Sequence, residues 1–293
     1  MTTRPLLVAT DFSQDAGHAA YRAAILAAEK AARLELLHVV SRPSLDALLE
    51  VFRLHPGAEA ALVGDVQTML TESAQRIARE TGVAVSSHVT VGHVLDEILA
   101  ASDRADMLIL GAHGLNPLRD LVLGTTAERL LRKCKRPVLV VKRQPNEGYG
   151  KVLVPVDFSP NSATALKLAA HVAPAASITV AHAFNVPFEG KLRMADVPNE
   201  EIERYRSQAK QQALSKIRTL IQDVQSPVTR SNDVVEQGDP RRMILAKEKQ
   251  LGVDLIVMGK HGSMIEDLLI GSVTRHVLSD SRCDVLVDTT GAR

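Results

Sequence analysis

Short runs of apolar residues alternate along this chain with longer segments whose apolar residues recur every three or four positions. PLLVAT from Pro5, LELLHVV from Leu34, VAVSSHVTV from Val83, DMLILG from Asp106 and PVLVVK from Pro137 are of the first kind and predict strands. Between them, Ala19, Ala20, Ala23, Leu26 and Ala27 share one helical face, Val63, Val66, Leu70, Ala74 and Ile77 a second, and Val94, Leu95, Ile98 and Leu99 a third. A further helix is predicted from about Gly124 to Arg132. Strands that are apolar at nearly every position and alternate with helices belong in a parallel sheet covered on both faces.

The same plan is then written again. KVLVPVDFSP from Lys151 repeats PLLVATDFSQ from Pro5, so that Asp11, Phe12 and Ser13 fall on Asp157, Phe158 and Ser159. SITVAHAF from Ser177 answers LELLHVV, VDLIVMGKHG from Val253 answers ADMLILGAHG from Ala105, and CDVLVDT from Cys283 answers RPVLVVK from Arg136. Ile202, Tyr205, Ala209, Ala213, Ile217 and Leu220 mark the apolar face of the second long helix. A repeat of this length is a whole domain and not a solenoid unit. The polar RQPNEGYG, residues 143–150, separates the copies as a linker, which predicts one domain over residues 1–144 and another over 150–293. Each is expected to be a doubly wound α/β domain.

Composition narrows the function. Lys and Arg number 35 against 34 Asp and Glu, so no basic surplus points to nucleic acid, and aromatics at 3% without Trp argue against base-stacking platforms. No stretch reaches the ~20 apolar residues needed to span a bilayer, and the run before Asp11 is too short for a secretory signal; a cytoplasmic location and no membrane partner are expected. Cys134 and Cys283 form no CxxC pair and read as reduced thiols.

In open parallel sheets ligands sit outside the carboxyl ends of the strands, where strand order reverses. The residues there are Asp11 and Asp157, Val39 and Ala183, and two glycine loops. GAHGLNPLRDLVLGTT, Gly111 to Thr126, sets Gly111 and Gly114 at a strand exit and Gly124 before the helical AERLLRK; GKHGSMIEDLLIGSV repeats it from Gly259. A helix N-terminus carries unpaired N–H groups and partial positive charge, so a phosphate fits where glycine lets the backbone approach, and Thr125 and Thr126 add hydroxyl donors. The loop is neither a Walker loop nor GxGxxG. The rival reading makes Gly111 a turn and Thr125 an N-cap; Asp11 and Asp157 divide between capping a helix and binding a ligand.

These residues resemble the universal stress protein family, whose nucleotide-binding members carry G-x2-G-x9-G-[ST] with an Asp after the first strand. The resemblance covers nearly all of both halves. It implies two tandem five-stranded sheets of order 3-2-1-4-5, related by a pseudo-two-fold, since single-domain members pair through their last strands; a monomer with that internal pairing, or a homodimer, is expected. It also implies an adenine nucleotide, ATP with or without Mg2+. Asp11 would face adenine and ribose, Val39 and Leu110 would line the base pocket, and Gly111, Gly114, Gly124, Thr125 and Thr126 would hold ribose and phosphates. In the second half the matching positions are Pro155, Asp157, Ala183, Met258, Gly259, Gly262, Gly271, Ser272 and Val273.

The halves depart from that pattern differently. Residues 115–123 give the first loop its full nine positions, whereas 263–270 leave eight in the second. Arg119 balances Asp120 in the first loop, while Glu266 and Asp267 in the second would repel phosphates, offset in part by Lys260. The first half is therefore expected to be the better ATP site. No HExxH, GxSxG or zinc spacing occurs, so neither catalytic nor metal-ligating residues are assigned. His38 and His182 read as satisfied strand histidines, and His113 and His261 either touch a phosphate or face solvent, the second being the expected reading. The expected function is a stress-response regulator that binds ATP, contacts an unknown protein partner, and is no enzyme beyond weak ATPase activity. The alternative is an interaction scaffold with vestigial loops. The segments from Ser41 and Asn185 read as plain excursions.

Overall fold

The computed structural model describes residues 4–52, 57–114, 124–186, 189–195, 197–224, 231–260 and 270–290. The chain divides into two compact units, Met1–Gly148 and Tyr149–Arg293. Unit 1 runs β1 (Leu6–Ala9), α1 (Gln14–Lys30), β2 (Leu34–Ser41), α2 (Arg42–Val51), α3 (Ala58–Thr81), β3 (Val85–Gly92), α4 (Val94–Ser102), β4 (Met107–Gly111), α5 (Thr125–Lys133) and β5 (Val138–Val141). Its strands are parallel and ordered β3-β2-β1-β4-β5. The central strands β1 and β4, and also β5, are buried almost throughout, whereas the edge strand β3 alternates partly buried and exposed positions. That contrast explains why the central strands read as continuous apolar runs.

Unit 2 repeats the order with β6 (Lys151–Pro155), α6 (Pro160–Val172), β7 (Ser177–Phe184), α7 (Glu189–Met194), α8 (Asn199–Asp223), β8 (Ser231–Gln237), α9 (Pro240–Leu251), β9 (Leu255–Gly259), α10 (Ser272–Asp280) and β10 (Asp284–Asp288). Within this unit the order is β8-β7-β6-β9-β10, again 3-2-1-4-5 and parallel.

The expected faces pack as the periodicity requires. Ala19, Ala20, Ala23, Leu26 and Ala27 are buried, and small side chains there bring α1 close to β4 and β5. On the expected face of α3, Leu70, Ala74 and Ile77 are buried, while Val63 and Val66 are half-buried. Tyr205 departs from expectation: it is 42% exposed, and α8 buries only Ile202, Ala213 and Ile217. The first excursion contains α2, which Ser41 starts by accepting a hydrogen bond from Ser44 N, with Pro43 in the first turn. The second contains α7, whose Glu189 pairs with Arg206 on α8 and accepts from Gln237.

One turn recurs in both units. Phe12 and Phe158 take left-handed φ of 65° and 63°, a conformation costing a side-chain-bearing residue about 1 kcal/mol. Each ring is held against a histidine of the neighbouring strand, Phe12 on His38 at 4.7 Å and Phe158 on His182 at 4.4 Å between centroids. Those histidines donate from Nδ1 to the carbonyls of Thr10 and Val156, each at 2.8 Å. The turn sets the direction in which the preceding aspartate leaves its strand.

Candidate functional site

In unit 1 the order reverses at β1, which lies between β2 and β4, and the crevice opens beyond the strand ends there. Asp11, Val39, Leu110, Gly111, Gly114, Gly124, Thr125 and Thr126 all line one cavity of about 440 Å³. Its apolar side is completed by Leu37, Val94, Ile98 and Leu130. A volume in this range suits a small organic ligand, and an apolar wall with a few polar groups is the usual make-up of such a site.

The two strand-exit glycines are required by close approach. A Cβ on Gly111 would lie 2.6 Å from the carbonyl carbon of Asp15 and 2.8 Å from Ala16 N, because the first turn of α1 rests on it. A Cβ on Gly114 would lie 2.7 Å from Asp11 Oδ2. Gly111 thus serves packing, and Gly114 leaves room for the carboxylate. Asp11 Oδ1 accepts from Ser13 N at 3.0 Å, and Ser13 Oγ caps α1 by accepting from Ala16 N at 3.2 Å.

Gly124 is the N-cap of α5 and supplies no side-chain cap, so Thr125 is the first helical residue and not the cap. Ordinary φ and a nearest would-be contact of 3.5 Å mean that Gly124 is not demanded by space. The first turn of α5 therefore receives no side-chain bond from its N-cap residue, and Thr125 and Thr126, which open it, line the crevice. Glu128, the acid of that first turn, is drawn to Arg132 at 2.6 Å. His113 does not simply face solvent: Asp15 Oδ2 accepts from its backbone N at 3.1 Å and contacts its Nδ1 at 2.9 Å, although the ring stays partly exposed.

In unit 2, Pro155, Asp157, Ala183, Met258, Gly259, Gly271, Ser272 and Val273 line a smaller cavity of about 260 Å³, into which Met243 and Pro240 of α9 also reach. Gly262 lies outside the described residues, as do Arg119, Asp120, His261, Glu266 and Asp267. Lys260 is buried, its backbone carbonyl accepting from Gly271 N at 2.9 Å. Gly271 caps α10 without a side-chain bond, as Gly124 caps α5. Asp239, the N-cap of α9, is held at about 2 by its hydrogen bond from the Arg241 side chain.

The two aspartates are held differently. Asp157 Oδ1 accepts from Ser159 N at 3.0 Å, Ser159 Oγ at 2.6 Å and Ser162 Oγ at 2.9 Å. Burial pushes its carboxyl up, but these hydrogen bonds outweigh burial and leave it below the ordinary aspartate value. A lowered folded value means that its stabilising contribution is present above the ordinary carboxylate range and disappears as pH falls through the lowered one. Carbon-detected NMR titration is expected to place the Asp157 midpoint below that of an unfolded aspartate. Ser162→Ala should move the midpoint upward.

Val94 and Ile98 were legible as a helix face but not as cavity wall, and Met243 and Pro240 gave no signal beyond following Gly238. Among the described residues no group of three or more His, Cys, Asp or Glu is placed to hold a metal ion. The donor set thus fits Mg2+ only as an ion carried by a ligand's own oxygens. No helix among the described residues is long and apolar enough to cross a membrane.

The sequence profile of the universal stress protein family matches residues 2–142 and again 148–288. A universal stress protein of Methanocaldococcus jannaschii is 31% identical over 156 residues, covering 48% of this chain and 96% of that protein. One from Mycobacterium tuberculosis is 25% identical over 297 residues, 96% of each chain, so the doubled arrangement has a full-length counterpart. In fold, the chain is similar to the crystal structure of a universal stress protein from Archaeoglobus fulgidus, with a TM-score of 0.71 at 21% identity, covering 99% of this chain and all of that one.

Proposed function

The chain belongs to the universal stress protein family, as two tandem domains, and from that premise we propose that it binds an adenine nucleotide in the crevice of unit 1. The observation that carries this reading is the convergence on one cavity of three things: a carboxylate, Asp11; an apolar wall that includes Val39 and Leu110; and the first turn of α5, capped only by glycine. The first suits ribose hydroxyls or an amino group, the second a purine face, and the third a phosphate. ATP is the ligand the reading favours, with Mg2+ brought by the phosphates.

In this reading the protein is a cytoplasmic stress-response regulator, and occupancy acts by favouring one of two conformations that a protein partner distinguishes. Efficient turnover is not part of it. Hydrolysis needs a group that orients water and a cation that neutralises developing charge, and the helix-end side of the cavity presents neutral threonine hydroxyls and amides. Unit 2 is the weaker site, its cavity being narrower and its aspartate engaged in its own turn. That engagement also favours the scaffold reading for unit 2 alone.

Calorimetric titration of the full chain with ATP tests the proposal. Asp11→Ala is expected to weaken binding by roughly tenfold or more, the loss of a charge-assisted hydrogen bond, and to lower the melting temperature by a few degrees because Ser13 N loses its acceptor. Wild-type protein that evolves no heat and shows no thermal shift with ATP would overturn the reading.

A further inference from the structure

We infer that Ser162 withdraws Asp157 from ligand recognition, so that the crevice of unit 2 discriminates against the nucleotide that unit 1 takes; the inference rests on the function proposed above. The repeat supplies the comparison, because Ala16 stands in unit 1 where Ser162 stands in unit 2.

The two turns, which also differ at Gln14/Pro160 and Asp15/Asn161, are wired differently. In unit 1 Ser13 Oγ accepts from Ala16 N and caps α1. In unit 2 Ser159 is likewise the N-cap residue, but α6 has no side-chain cap, because Ser159 Oγ is turned to Asp157. Ser162 Oγ closes the ring: it donates to Asp157 Oδ1 at 2.9 Å and accepts from Asp157 N at 3.1 Å. Oδ1 then carries three donors, two of them hydroxyls, which fills its accepting capacity. Those bonds pin Oδ1 and fix the carboxylate plane, so Oδ2 can meet a ligand hydroxyl or amine only in the orientation the turn imposes, and any other orientation breaks at least one of them. The lowered proton affinity of Asp157, in which hydrogen bonds overcome burial, agrees with that geometry. Ser162 is therefore a positioning residue whose target is the carboxylate and not the ligand.

The test uses the full chain, photolabelled with 8-azido-ATP and mapped by peptide mass spectrometry to residues 1–148 or 149–293. Wild-type label is expected mainly in unit 1. Ser162→Ala recreates the unit 1 residue and should raise unit 2 labelling roughly tenfold, the equivalent of one hydrogen bond no longer broken on binding. Ser162→Thr keeps the hydroxyl and should leave unit 2 at the wild-type level, an outcome that a merely steric role would not give. Ala16→Ser should lower unit 1 labelling, and it decides the matter if Ser162→Ala does not melt like wild type. Unit 2 labelling unchanged in a folded Ser162→Ala protein, with unit 1 labelled normally, overturns this inference alone. No label in either unit of any of the four proteins overturns the nucleotide reading itself.

Discussion

Gly111→Ala is expected to destabilise the protein by about 3 kcal/mol and to abolish nucleotide binding in unit 1. The added methyl would meet backbone and not a movable side chain: Asp15 C at 2.6 Å, and Asp15 O and Ala16 N each at 2.8 Å. Relief requires α1 to move off the end of β4, and that helix start carries Ser13, whose amide holds Asp11. Stability and site therefore fail together. Gly124→Ala is the control, because its Cβ would meet nothing closer than 3.5 Å and its φ is ordinary. It should cost less than about 1 kcal/mol, the difference between a glycine and an alanine cap. Urea unfolding monitored by circular dichroism separates the two, and equal midpoints for both variants would show that Gly111 is not a packing glycine.

Glu248→Ala should be comparably damaging, at about 3 kcal/mol, while Glu248→Gln should cost under about 1. Glu248 lies buried on α9, and its Oε1 accepts from both Arg282 N and Cys283 N at 2.7 Å. Alanine removes this acceptor from the buried Cys283 amide and the part-buried Arg282 amide, whereas glutamine keeps a carbonyl oxygen at the same reach. Residues 281–283 join α10 to β10, so the loss loosens the helix whose first turn borders the unit 2 crevice. Thermal unfolding of the two variants checks the ranking, and a glutamine variant as unstable as alanine would show that charge and not acceptor geometry matters there. Unit 1 has Ser102 at the matching place, where it donates to Leu99 O and accepts from Cys134 Sγ. The repeats therefore agree in backbone while solving the same loop differently.

Much of the fold could be read before any coordinates. The alternation of unbroken apolar runs with 3.6-period segments required parallel sheets, and the second writing of Asp-Phe-Ser and of the glycine loop required two copies. Reading failed where burial depends on distant neighbours. Tyr205 continues the period of α8 and yet is exposed, since periodicity marks a face but not how far along it neighbouring elements reach. His113 looked like a solvent residue and is instead clamped to Asp15, nearly a hundred positions away in the chain. The segment from Ser41 read as a plain excursion although Leu45, Leu48 and Leu49 stand at helical spacing behind Ser41 and Pro43; of the apolar residues of α2 only Leu45 is buried.

For the site, the linear order of residues by itself determined which groups arrive at the strand ends: two aspartates, two glycine-headed helices and an apolar wall. Periodicity and connectivity decide that much, since a parallel strand can deliver its next residue only to the carboxyl edge of the sheet. Only the tertiary structure decided how each aspartate is used. Asp11 and Asp157 share the Asp-Phe-Ser turn, but hydrogen bonds are chosen by distance and angle among side chains brought together by packing. In unit 2 Ser159 Oγ and Ser162 Oγ both donate to Asp157 Oδ1, whereas in unit 1 Ser13 Oγ caps α1.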